Sequence, residues 1–192
     1  VPLVGLVPVT FGPLLVIVGA MAWALHTNGG VMDIKQAIPL FAIGLFVMCM
    51  FFHGELAALK PAPRHLTGYY LMISMGGAVG GLLVGFVAPK LFDTYYEFGL
   101  GLFCTVLIAA YLARRAMVMV PVLALVAACF TAYQIHTYID MLSQGTRVMM
   151  RNFYGTLRVK DFGDANTDGR RRLMHGVIMH GATPAELSPI VA

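Results

Sequence analysis

Charge is what this chain has least of. Only 11% of its 192 residues are Asp, Glu, Lys or Arg, against roughly 25% in a soluble domain. Residues 1–25 hold no ionisable Asp, Glu, Lys, Arg or His at all. So few charges cannot cover a globule with polar surface, which excludes an ordinary water-soluble domain. The 59% hydrophobic content and mean hydropathy of +0.79 point to an integral membrane protein. Cysteine is scarce as well. Cys49, Cys104 and Cys129 lie singly in apolar runs without CxxC spacing, which excludes a disulfide framework and a thiolate metal site. They read as small hydrophobes. No signal-peptide pattern is visible, and a chain opening at Val1 inside an apolar run reads as a processed or excised piece.

What is present is a series of apolar runs of about 20 residues, the length that crosses a hydrocarbon core of roughly 30 Å. The runs place spans at about Leu3–Leu25, Ala37–Leu59, Leu66–Ala88, Phe98–Leu112 and Ala116–Ile139. Pro8 and Pro13 are tolerable in the first span if neighbours satisfy the freed carbonyls. "HTNGGVMDIKQ" reads as a turn, "KPAPRH" as a stop, and Pro89 with Lys90 as the end of the third span. Tyr95 and Tyr96 suit an interfacial aromatic belt. Sidedness does not emerge from charge. Lys60, Arg64, Arg114 and Arg115 on one side balance Lys35, Lys90, Arg147 and Arg151 on the other.

Water-facing character returns only at the end, where residues 147–172 hold seven of the thirteen basic side chains. "QIHTYIDMLSQGTRVMM" is amphipathic enough to continue the fifth span as a helix. Beyond Asn152 the period changes to two. Thr156, Arg158 and Lys160 face one way, Leu157 and Val159 the other. "DFGDANTDG" supplies turn chemistry, and "RRLMHGVIMH" returns as a second strand. Residues 153–181 therefore read as one β-hairpin, marginal in water without a partner. The expected fold is a mainly α, multi-span transmembrane helical bundle of about five spans, residues 1–142. A juxtamembrane segment and C-terminal β-hairpin follow over 143–192.

Three clusters carry candidate chemistry. Gly76, Gly77, Gly80, Gly81 and Gly85 form a small-residue stripe suited to close helix packing, so Gly81→Leu should lower stability. His53 and Glu55 are two apart, on roughly opposite sides of a helix. Glu55 is either a substrate or proton site within a span or an interfacial partner of Lys60, and the second reading is favoured. His175 and His180, five apart on a strand, should point to opposite faces and not share a metal; no other metal site is expected. Beside them, Gly176 and Gly181 leave room for a ligand or backbone to come close. The basic tail suits a solvated strand face near anionic lipid better than nucleic acid, since it lacks interleaved stacking aromatics.

The stretches "HGELAALKPAPRHLTGYYLMISMGGAVGGLLVGFVAPKLFD", "RNFYGTLRVKD" and "RRRLMHGVIMHG" together resemble the membrane-fused spermidine synthase-like proteins of bacteria, over roughly residues 45–181. The resemblance implies a multi-span region in the bacterial inner membrane with a cytoplasmic tail that opens an aminopropyltransferase domain. It implies transfer of an aminopropyl group from decarboxylated S-adenosylmethionine to putrescine. His175, Gly176, His180 and Gly181 match the H-G-x-x-x-H-G pattern of the membrane-fused members and would lie near substrate. Soluble relatives carry L-D-G-x-x-Q at the matching place; here His175 and Met179 replace the Asp and Gln, so nucleoside binding by those side chains does not carry over. This chain shows no Gly-rich nucleoside loop, acidic pair or alternating β/α pattern, so no catalytic residue and no cofactor site is expected within it. The expected partners are the lipid bilayer and the missing catalytic domain or other membrane subunits. Two rival readings are a non-catalytic accessory subunit of a larger membrane assembly and, more weakly, a polyamine or small-cation transporter using Glu55.

Overall fold

The computed structural model describes residues 7–27, 32–113, 119–152, 154–162, 170–176 and 178–184. The chain divides into two compact units, Val1–Val79 with Phe98–Ile139 and Gly80–Glu97 with Asp140–Ala192. The second unit takes in Gly80–Glu97, a segment that a boundary at residue 142 assigns to the membrane region.

The order of elements is α1 (Val7–His26), α2 (Ile34–Ala58), α3 (Leu66–Leu82), α4 (Ala88–Leu91), α5 (Tyr96–Ala113), α6 (Met119–Ser143) and then four strands. A short 3-10 turn, Pro63–His65, leads into α3. Among the described residues, four helical stretches are long and apolar enough to cross a membrane: Ile34–Ala58, Pro63–Leu91, Tyr96–Ala113 and Val122–Ser143. Phe11–Leu25 is a shorter apolar helix. Among the described residues, the five expected apolar runs thus correspond to these four helices and to Phe11–Leu25, in the expected order.

Helix α2 starts earlier than its apolar run. Asp33 is its N-cap, accepting from the Lys35 amide at 3.0 Å, so Ile34–Gln36 belong to the helix and not to a turn. The core of the first unit draws on α1, α2, α5 and α6. Leu14, Val18, Met21, Phe51, Leu102, Val106 and Ala109 are fully buried in it. Its tightest helix approach is at Gly44, where an added Cβ would overlap Met21 Sδ. Gly99 allows a similar approach, with an added Cβ 3.2 Å from Ile135 Cγ1.

The third span is not closed by Pro89. The helix passes through a π-turn, Leu83–Val87, in which the Ala88 amide donates to Leu83 O, and then continues as α4 with Pro89 in its first turn. Proline has no N–H and its ring presses on the carbonyl four residues back, here that of Gly85. Widening the preceding turn removes the clash without ending the helix.

The C-terminal region is a four-stranded antiparallel sheet in sequence order, not a two-stranded hairpin: β1 (Thr146–Asn152), β2 (Gly155–Phe162), β3 (Arg170–His175) and β4 (Ile178–Pro184). Two turns account for the difference. Helix α6 stops at Ser143 because Gly145 adopts φ +68°, the left-handed conformation that terminates helices, and "TRVMMRN" runs on as β1. Gly176, at φ +61°, reverses the chain inside what reads as one long strand. The expected turn in "DFGDANTDG" lies, from residue 163 to 169, outside the described residues.

Candidate functional site

Alternation along paired strands sorts the sheet into two faces. Val148 pairs with Val159, which pairs in turn with Leu173, while Met150 pairs with Leu157, Leu157 with His175, and His175 with Ile178. All of these therefore share one face. Val148, Met150, Leu157, Leu173 and Ile178 on it are exposed large apolar side chains, Met150 by 64% and Ile178 by 61%. The opposite face carries Thr156, Arg158 and Lys160 of β2, as the sequence pattern requires, together with Arg151 and Arg172. Thr156 is buried.

Arg151 is the anchor of that second face. Its Nη1 donates to Glu97 Oε2 and to Thr94 O, both at 2.9 Å, and its Nη2 donates to Glu97 Oε1 at 2.7 Å. The guanidinium also stacks on Tyr95, 4.3 Å from the ring centre. Both charges are largely shielded, with 7% of the Arg151 side chain and 15% of Glu97 exposed. The two-pronged hydrogen bond to Glu97 raises the Arg151 pKa above its already high value, against the opposing effect of burial. Breaking such a shielded pair by removing one partner costs about 3–5 kcal/mol.

A second ionic cluster lies near the strand ends. Asp161 pairs with Arg147 and, at 3.1 Å, with Arg171. The hydrogen bond from Arg147, helped by Arg171, holds the Asp161 carboxyl below its ordinary range despite some desolvation. Arg158 donates to Gly176 O at 3.1 Å, and Arg172 stacks on Phe162 at 4.6 Å. Most of the basic tail is therefore engaged within the sheet unit, where the sequence reads it as a solvated face. Neither Glu97 nor Asp161 stands out in the sequence. An ion pair spanning 54 residues leaves no local signature.

His175 and His180 do not point to opposite faces. They lie on different strands, β3 and β4, on either side of the turn at Gly176. Ile178 pairs with His175, and alternation from Ile178 returns His180 to the same face. The ring centres are 5.8 Å apart with planes inclined at 41°. His175 Nε2 lies 3.2 Å from Tyr154 O. Gly155, at φ +136°, makes room for that ring, since an added Cβ would stand 2.7 Å from Nε2. Gly176 fixes the turn by donating to Thr156 O at 3.0 Å, and Gly181 lies opposite Leu173 at a one-residue register shift.

In the helical unit, His53 and Glu55 separate as expected. His53 is exposed and its Nδ1 bonds Cys49 O at 2.8 Å, whereas Glu55 is buried, 7% exposed. The favoured interfacial pairing of Glu55 with Lys60 is not formed. Glu55 Oε1 has no hydrogen-bond partner among the described residues. The glycine stripe also differs from expectation. Added Cβ atoms at Gly76, Gly77, Gly80, Gly81 and Gly85 would meet nothing within 4 Å among the described residues, and α3 buries no side chain. Close approach occurs at Gly44 and Gly99 instead, neither of which has a glycine four residues away, so that a search for repeats passes over both. Comparison with known protein families, curated proteins and solved structures finds no match to this chain.

Proposed function

We propose that this chain is the membrane region and entry sheet of a spermidine synthase-like protein, a platform on which an aminopropyltransferase body docks. The observation that carries the reading is the sheet face bearing Val148, Met150, Leu157, Leu173 and Ile178, exposed across all four strands. Such a face is stable in water only at a cost of about 25 cal/mol for each Å² of apolar surface left uncovered. An α/β catalytic body offers the apolar cover it needs. The chemistry would be aminopropyl transfer from decarboxylated S-adenosylmethionine to putrescine, with the donor and the acidic residues held on that body. His175, Gly176, His180 and Gly181 would sit at the junction. The tail would lie in the cytoplasm, beneath the bacterial inner membrane.

The decisive experiment is to sequence and express the intact gene. The reading frame is expected to run past Ala192 into a Gly-rich nucleoside-binding segment, and its product to form spermidine detectable by mass spectrometry. A stop codon after Ala192 overturns the reading. It would favour a non-catalytic accessory subunit, which the Gly76–Gly85 stripe, uncovered among the described residues, also suits, because membrane helices pack through such stripes.

A further inference from the structure

We propose that His175 and His180 form a two-imidazole site for a divalent transition metal of the zinc, nickel and copper class. Imidazole nitrogen is a preferred donor to these ions, whereas calcium and magnesium favour oxygen. Two imidazoles bound to one zinc at about 2.0–2.1 Å, with a near-tetrahedral angle, hold their ring centres about 5–5.5 Å apart. The observed separation is 5.8 Å, within a few tenths of an ångström of that spacing.

The rings are also prepared for that role. With Nε2 of His175 donating to Tyr154 O, the lone pair sits on Nδ1, and the ring orientation is set by a backbone carbonyl. Metal-ligating histidines usually have such a partner on the other nitrogen, which fixes both tautomer and direction. Gly155 provides the space for this arrangement, and the hydrogen bonds at Gly176 from its amide to Thr156 O and from Arg158 to its carbonyl hold the connecting turn. Packing does not account for the pairing, since His175 is half-buried and His180 exposed. Among the described residues no third His, Cys, Asp or Glu completes the set. The remaining coordination positions therefore open onto the apolar sheet face, to water or to a donor carried by whatever covers that face. An open site of this kind binds reversibly rather than holding the sheet together.

The test uses the full chain in detergent micelles, titrated with zinc chloride by calorimetry. One zinc per chain is expected, with affinity reduced at least tenfold in His175→Ala and in His180→Ala and unchanged in His65→Ala. Affinity that survives either of the first two substitutions overturns the proposal. A second measurement needs no variant. Zinc is expected to protect His175 and His180, but not His65, from diethyl pyrocarbonate, read by peptide mass spectrometry. Undiminished modification of both at saturating zinc overturns the proposal independently of folding. Neither readout depends on aminopropyl transfer, so the two proposals fail separately.

Discussion

The core shared by α1, α2, α5 and α6 and the exposed face of the β1–β4 sheet are built from the same kinds of residue, with opposite outcomes. In the helical unit, Leu14, Val18, Met21, Phe51 and Val106 find each other and are fully buried. In the sheet unit, Val148, Met150, Leu157, Leu173 and Ile178 align on one face and remain exposed. The sheet unit is consequently held less by apolar burial than by backbone pairing and by charge. Arg151 on Glu97 is its most shielded ion pair among the described residues, and the Asp161 cluster its most solvated. Apolar content alone therefore says little about what stabilises a region. Where the partners are decides it.

Four experiments sharpen that contrast. The largest effect is expected from Arg151→Ala, which leaves the Glu97 carboxylate shielded and unpaired. It should destabilise the sheet unit by about 3–5 kcal/mol, read as accelerated amide exchange across β1. Arg151→Lys keeps the charge but not the two-pronged geometry and should recover only part of that loss. Unchanged exchange in Arg151→Ala would show that strand pairing suffices.

Next is a matched pair of glycine substitutions in the helical stretches. Gly44→Leu drives a side chain into Met21 and should lower stability in detergent by about 3 kcal/mol. Gly81→Leu, with nothing within 4 Å of its Cβ, should leave the melting curve of the isolated chain unmoved. A loss in Gly81→Leu would mean that the stripe packs between copies.

A smaller gain is expected from Glu55→Gln, which removes the cost of a buried carboxylate whose Oε1 has no partner among the described residues. Thermal stability should rise by about 1 kcal/mol. The same variant tests the transporter reading, since undiminished polyamine uptake into vesicles would discard Glu55 as a carrier site.

The smallest effect is a pH response. Asp161 is depressed below the ordinary carboxylate pKa of about 3.9. Its contribution to sheet stability is therefore complete above that ordinary value and lost as pH falls through the lower folded one. Acid melts of the wild type and Asp161→Asn should differ above about pH 4 and converge below it. Divergence that persists at low pH would mean the pairing with Arg147 and Arg171 is not the cause.

Much of the helical architecture was legible because an apolar helix of that length needs only a long hydrophobic run: Ala37–Leu59 matches α2 to within one residue at its end, and Phe98–Leu112 falls inside α5. The alternation of Thr156, Leu157, Arg158 and Val159 was equally clear. What escaped was decided by single backbone angles. Gly145 and Gly176 each adopt a left-handed conformation, and between them they turn an expected helix and hairpin into a four-stranded sheet. The error about His175 and His180 follows from the second of these, since five positions along one strand separate two rings that a turn brings together. The pairing of Arg151 with Glu97 depended on tertiary structure and had no pattern to find.

The π-turn at Leu83–Val87 has a consequence for how this chain tolerates change. A π-turn is an α-helix carrying one surplus residue, so every position after it is rotated by about 100° from a straight continuation. Deleting one residue between Leu83 and Val87 would undo that phase shift, swing Lys90 around the axis and return the Pro89 ring against the carbonyl before it. A single-codon deletion there should consequently damage the helix by removing the widened turn that accommodates Pro89.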